Sequence, residues 1–223
     1  MLHTRIIFRS CVCLRLVGCN HIHKAVSTLP PESLPQSSAP GIFASLKYRF
    51  AHGLRYPSSR LKLSGENMFA ICAEYPEFSD FVTKLQLPDT FQTWFSITTL
   101  HIWLCLVRLR REGLEGSILK RAFIQVCCYS TILILMRGFG ILRKQHDHIE
   151  QFNMQFFGSL FAYDEAFLMH SDCALAGALW RNFFLSSPDT SAFQLETLVA
   201  YIRKQLAHLD ALPSDQVLGK GIT

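Results

Sequence analysis

One stretch constrains this chain more than any other. Residues 87–113 read LPDTFQTWFSITTLHIWLCLVRLRREG, with no charge between Asp89 and Arg108. Pro88 opens it and Gly113 closes it, as proline and glycine do at helix ends. Asp89 complements the positive helix N-terminus, and Arg108, Arg110 and Arg111 crowd the other end, where cations suit the dipole. One apolar stripe runs through Phe91, Trp94, Phe95, Thr98, Ile102, Cys105, Leu106 and Leu109, and a second through Ile97, Leu100, Leu104 and Val107. A helix apolar on several faces has to be surrounded by other helices. Gln92, Thr93, Ser96, Thr98, Thr99 and His101 weigh against a membrane span. No catalytic constellation sits on it, which points to a packed helical binding module rather than an enzyme.

The rest of the chain is punctuated as helices too. A short helix is expected over residues 66–74, with Ser64 as its cap. Pro76 fits the first turn of the next, whose apolar set is Phe78, Phe81, Val82 and Leu85. Residues 143–169 carry Ile149, Phe152, Phe156, Leu160 and Phe167 at helical spacing. Ser171 or Asp172 caps a helix with the face Leu175, Leu179, Trp180 and Phe183. Ser191 and Gln194 are spaced as a capping box for a last helix bearing Leu195, Leu198, Val199, Ile202, Leu206 and Leu209. No run alternates with period two, so the fold class is all-α. The reading is a single helical domain over residues 65–212. Before it come a leader and Pro/Ser-rich linker over 1–40 and a basic, weakly ordered connector over 41–64, and residues 213–223 form a tail.

Charge is unevenly placed. The chain has 22 Lys/Arg and 17 Asp/Glu. Residues 1–60 hold eight of the bases and one acid, Glu32, leaving 14 bases against 16 acids beyond. The positive balance therefore belongs to the leader, and direct DNA binding by the folded part is not expected. In that leader Arg5, Arg9 and Arg15 alternate with Ile6, Ile7, Phe8, Val12, Leu14 and Leu16, the basic, acid-free, amphipathic pattern of a mitochondrial presequence. Arginines interrupt every run that a secretory signal would need. The eight cysteines form neither a disulfide framework nor a C-x2-C zinc pair, which fits a reducing compartment.

Residues 122–136, AFIQVCCYSTILILM, have no charge but fall short of the ~20 residues of a transmembrane helix. A buried core helix is the first reading and a membrane-dipping segment the second. Chemistry-bearing groups are sparse. His146 and His148, two apart, do not share a helix face. His170 and Cys173 lack a second pair to complete a metal site. Asp164 and Glu165 are adjacent, so they point about 100° apart on a helix and read as a structural or partner-facing pair. His101 reads as a hydrogen-bonded core histidine. No phosphate-binding glycine loop and no nucleophile elbow occurs.

Three ordered blocks carry a resemblance. The long helix, then FFGSLFAYDEAF, then LAGALWRNFF, together with the closing LVAYIRKQLAHLD, resemble the ubiquinol–cytochrome c chaperone family over about residues 76–210. The matching positions are Pro88, Asp89, Thr90, Trp94, His101, Trp103 and Arg108 in the first block and Tyr163, Asp164 and Glu165 in the second. In the third they are Leu175, Ala176, Leu179, Trp180 and Arg181. Residues 117–142 depart from the family's pattern, which has an amphipathic helix with acidic and Trp positions and then a longer basic connection.

The resemblance implies an all-helical, non-enzymatic assembly factor without a cofactor, peripheral to the matrix side of the mitochondrial inner membrane. It implies three partners: newly synthesised cytochrome b, a small assembly subunit and the mitochondrial ribosome. Asp89, Trp94, His101, Trp103, Arg108, Tyr163, Asp164, Glu165, Trp180 and Arg181 are carried over as candidate partner- or client-binding positions. Two other classes stand beside this reading. One is an integral inner-membrane subunit spanning residues 119–142. The other is an α-helical enzyme acting on a quinone or lipid, which requires His101, Asp164 and Glu165 to converge in one pocket.

Overall fold

A computed structural model of the protein describes residues 54–74, 76–138 and 145–222, without the side chains of residues 128–138 and 145–149. The leader and linker expected over 1–40, and residues 41–53 of the connector, lie outside the described residues. The elements are α1 (Ser58–Glu74), α2 (Phe78–Lys84), α3 (Phe91–Leu109), a 3-10 turn (Arg110–Glu112), α4 (Gly113–Gly138), α5 (Gln145–Leu168), α6 (Asp172–Asn182), α7 (Ala192–Ala211) and α8 (Ser214–Lys220). Among the described residues there are helices and no strand, so the chain is all-α as its patterning demands.

The over-apolar helix is the hub. α3 touches α1, α2, α4, α5 and α7, and this is why apolar residues are tolerated all around it. Both of its tryptophans, Trp94 and Trp103, are buried, as are Ile97, Leu100, Ile102 and Leu104. Its start is set by Thr90 rather than Pro88. The Thr90 hydroxyl accepts from the Thr93 amide, and the Pro88 carbonyl accepts from the Thr93 hydroxyl at 2.6 Å, closing the turn ahead of the helix. At the other end Gly113 takes φ +57°, a conformation costly for residues with a Cβ. It re-aims the backbone from the 3-10 turn directly into α4.

Two boundaries differ from expectation. The first helix begins at Ser58, well before Ser64. Ser64 is buried inside it and donates its hydroxyl to the Leu218 carbonyl at 2.8 Å, so it is not a cap. The Glu115 carboxylate, from α4, accepts from the amides of Arg55 and Tyr56 and organises the approach to the helix. The segment expected to be a tail carries α8, with Val217 and Leu218 buried. Arg60 donates to the Gly219 carbonyl and Asn67 to the Lys220 carbonyl, so α8 is bonded along one side of α1. A further small correction concerns Pro76. It lies before the cap Glu77 of α2 rather than in its first turn.

α1 and α4 pack backbone to backbone at Gly65. A Cβ on Gly65 would lie 3.0 Å from the Phe123 amide nitrogen and 3.3 Å from the Leu119 carbonyl, so only glycine lets these backbones approach. The apolar 122–136 stretch lies in α4, and of its residues with described side chains Phe123 and Cys127 are buried in the body. Among the described residues no helix is long and apolar enough to cross a membrane. Residues 139–142 of the alternative 119–142 span lie outside them. α5 lies on α3 and α6, and α6 also meets α7. Two caps come out as their spacing demands. Ser171 accepts from the Ala174 amide, and Ser191 and Gln194 form the full capping box. Gln194 also donates to the Leu85 carbonyl at 2.6 Å, tying the start of α7 to the end of α2.

Candidate functional site

The sequence-derived positions fall into three buried clusters and a scattered exposed set. The first cluster joins α3 to α5. The Trp103 indole nitrogen donates to an Asp164 carboxylate oxygen at 2.7 Å, and Arg110 pairs with the same oxygen at 2.5 Å. Tyr163 and Phe167 set their rings edge-on to Trp103, with centroids at 5.6 and 5.8 Å. Burial raises the Tyr163 phenol above its ordinary pKa, against a smaller opposing hydrogen bond with Ser159. The group is therefore a neutral phenol at any physiological pH. An indole N–H and a guanidinium converging on one carboxylate make a polar rivet in an aromatic seam, a fixed contact with no acid–base duty.

The second cluster lies where α3 meets α2 and α7. His101 holds the Ile97 carbonyl with Nδ1 at 2.8 Å and the Tyr201 hydroxyl with Nε2 at 2.6 Å. Phe81 stands edge-on to both rings. The sequence reading of His101 as a hydrogen-bonded core histidine matches this geometry. Although part of its surface reaches solvent, the ring is densely surrounded, and burial lowers its pKa from 6.5 to about 4, against an opposing backbone bond to Ile97. The folded form thus holds a neutral imidazole, whereas the unfolded chain takes up a proton near pH 6.5. Stability from this group is fully present above about pH 6.5 and is lost as pH falls toward 4. At ~1.4 kcal/mol per pH unit the loss amounts to at most about 3 kcal/mol. Chemical denaturation from pH 7 to 4 should show the parent losing stability relative to His101→Gln. Parallel curves would remove this account of His101.

The third cluster is built on Arg108. Its Nε donates to the Leu209 carbonyl and one Nη to the Leu212 carbonyl, both at 2.8 Å, while the other Nη pairs with Glu112. Glu112 also accepts from the Ser214 hydroxyl at 3.0 Å. Arg108 thus adds a donor to the Leu209 carbonyl, which the Leu212 amide also reaches, and bonds the carbonyl of the cap residue Leu212, closing the end of α7. Sequence reasoning saw a cation suited to its own helix's dipole and missed this role across 100 residues of chain.

The candidate positions divide between the interior and the surface. Trp94, Trp103, Arg108 and Tyr163 are buried and fully engaged inside the body. Asp89 is half-buried just ahead of the α3 cap. Glu165 and Arg181 are exposed. Trp180, on the apolar face of its helix by spacing and also a candidate partner position, lies at the surface, with its indole nitrogen donating to the Ser187 carbonyl at 3.0 Å. The convergence needed for a quinone or lipid enzyme is not formed. His101 turns to Tyr201 on α7, Asp164 is held by Trp103 and Arg110, and Glu165 faces outward. What the sequence reading overlooked is the outer side of α5, where Met154, Phe157, Phe161 and Leu168 are all exposed.

Comparison with known proteins agrees with this architecture. A crystal structure of the Cbp3 homolog from Brucella abortus superposes with a TM-score of 0.59 at 21% identity, covering 82% of this chain and 96% of that one. At that identity the likeness speaks for the fold. The human ubiquinol–cytochrome c reductase complex assembly factor 1 is 32% identical over 208 residues, 90% of this chain and 67% of its own length. The mitochondrial protein CBP3 of Saccharomyces cerevisiae is 34% identical over 149 residues, 63% of this chain and 42% of its own length. The chain therefore spans about two thirds of the human relative and under half of the yeast one. The profile of the family described as ubiquinol–cytochrome c chaperone matches residues 83–223, from α2 through α8. On that match and the human likeness, this chain belongs to the ubiquinol–cytochrome c chaperone family.

Proposed function

We propose that this protein is a non-enzymatic assembly factor for ubiquinol–cytochrome c reductase. It holds newly synthesised cytochrome b near the mitochondrial ribosome until assembly proceeds, together with a small partner subunit. It acts on the matrix side of the inner membrane, as a peripheral protein. The observation that carries the reading is the family match over residues 83–223 combined with 32% identity to a human relative named as an assembly factor of that complex. The geometry supports holding rather than turnover, because the three polar clusters are consumed in fastening helices to one another. The arginines of the leader support a mitochondrial address. Asp89, Glu165, Trp180 and Arg181 are the candidate positions with surface to offer a partner.

The test is loss of the protein from mitochondria carrying out labelled translation. The expected result is a several-fold fall in assembled reductase on native gels, with crosslinked cytochrome b recovered on the full-length protein when it is restored. Intact reductase in its absence, with no newly made cytochrome b captured, overturns the proposal.

A further inference from the structure

α5 has two apolar faces, and among the described residues only one is covered by the rest of the body. Its inner face, including Phe156, Ser159, Leu160, Tyr163 and Ala166, is buried. Its outer face carries Met154, Phe157, Phe161 and Leu168, exposed at 63%, 49%, 72% and 66%. At 100° per residue these four fall within roughly a 60° arc, and they run about 21 Å along the helix. A contiguous exposed apolar stripe of this kind marks an interaction surface.

Gly158 borders the stripe, about 40° beyond Met154 around the helix. It is exposed, and a Cβ placed there would meet nothing within 4 Å. Glycine inside a helix is destabilising relative to alanine, and here no internal contact requires it. A small exposed residue beside an aromatic stripe leaves room in which another helix backbone can approach closely.

Charge decides which helix. Between Glu150 and Asp164 the helix has no charged residue. Two exposed acids bracket the apolar run: Glu150 lies in line with the stripe one turn before Met154, and Glu165 lies about 20° beyond its edge, between Phe161 and Leu168. A second copy of this chain fits poorly. Antiparallel pairing about Phe161 sets each Glu165 against the apolar Phe157, and parallel pairing sets Glu165 against Glu165. An apolar helix ending in Lys or Arg fits both features, filling the uncharged turns and placing its cation at Glu165. Membrane-spanning helices have this build, with basic residues flanking an apolar run.

Resting on the holding function above, we propose that the outer face of α5 is the surface that receives a membrane-spanning helix of the client, with Gly158 the point of closest approach and Glu165 facing the client's flanking cation. The test places a photo-crosslinking residue at Met154 in the full chain, in mitochondria making radiolabelled translation products. A labelled membrane polypeptide is expected in the adduct. Gly158→Leu, Phe161→Glu and Glu165→Lys should each lower its yield at least tenfold. Gly158→Leu should meanwhile hold or raise the melting temperature of the purified protein, which separates lost docking from lost folding. An adduct of two copies of this chain, or one with a soluble protein alone, overturns the inference. If the full chain still captures cytochrome b and the three variants do not change the yield, the surface assignment falls and the assembly function stands. If it captures none, both fall.

Discussion

Arg108→Met is expected to destabilise the protein by roughly 3–5 kcal/mol, the range found when one partner of a buried ion pair is removed. Methionine keeps most of the stem's volume, so the loss isolates the guanidinium. Without it, Glu112 is left charged in a site where the Arg108 and Glu112 side chains are only 3% and 6% exposed. The carbonyls of Leu209 and Leu212 lose the donor that reached them from α3. Guanidinium unfolding of the parent and variant measures the difference. A loss below about 1 kcal/mol would mean that solvent replaces the arginine readily. The double variant Arg108→Met, Glu112→Leu should recover a large part of the loss, because it removes the stranded charge as well.

Trp103→Ala is expected to cost about 3–5 kcal/mol, as large-to-small changes of buried aromatic residues do. The indole is buried at the centre of the α3–α5 seam, edge-on to Tyr163 and Phe167, and its removal opens a cavity that rigid helix backbones cannot close. Trp103→Phe separates packing from polarity. It retains a ring but takes the donor away from Asp164, and should cost about 1–3 kcal/mol. Arg110 remains as that carboxylate's partner in both variants. Thermal and chemical unfolding decide between them. Equal losses for the two variants would show that the rivet, rather than the ring volume, holds the seam.

Local signals in the sequence translated well into structure, and contacts made over long stretches of chain did not. Ser191 with Gln194 formed the expected capping box because a cap is decided within four residues. The crowding of apolar residues on α3 announced a central helix for a similar reason, since burial is written into composition on every face. Ser64 looked like a cap, yet its partner is Leu218, 154 residues away. The docking of α8 was hidden because seven residues between Pro213 and Gly221 hold too few apolar positions to signal a helix by periodicity. The candidate site was half legible for a related reason. The blocks holding Trp103, Tyr163 and Arg108 were visible as blocks, but whether such residues face inward or outward is set by the neighbours they meet. The outer stripe of α5 did have a readable signal. Met154, Phe157, Phe161 and Leu168 repeat at helical spacing beside the inner set, and a helix with two apolar faces has to bury both.

The fastening of α8 along α1 has a consequence in time. A nascent polypeptide leaves the ribosome from its N-terminus, so α1 emerges some 150 residues ahead of its partner α8. Until then Ser64, Arg60 and Asn67 lack the carbonyls they bond in the finished body. Closure of the body around α1 therefore waits for Ser214–Lys220, the helix that bonds along it.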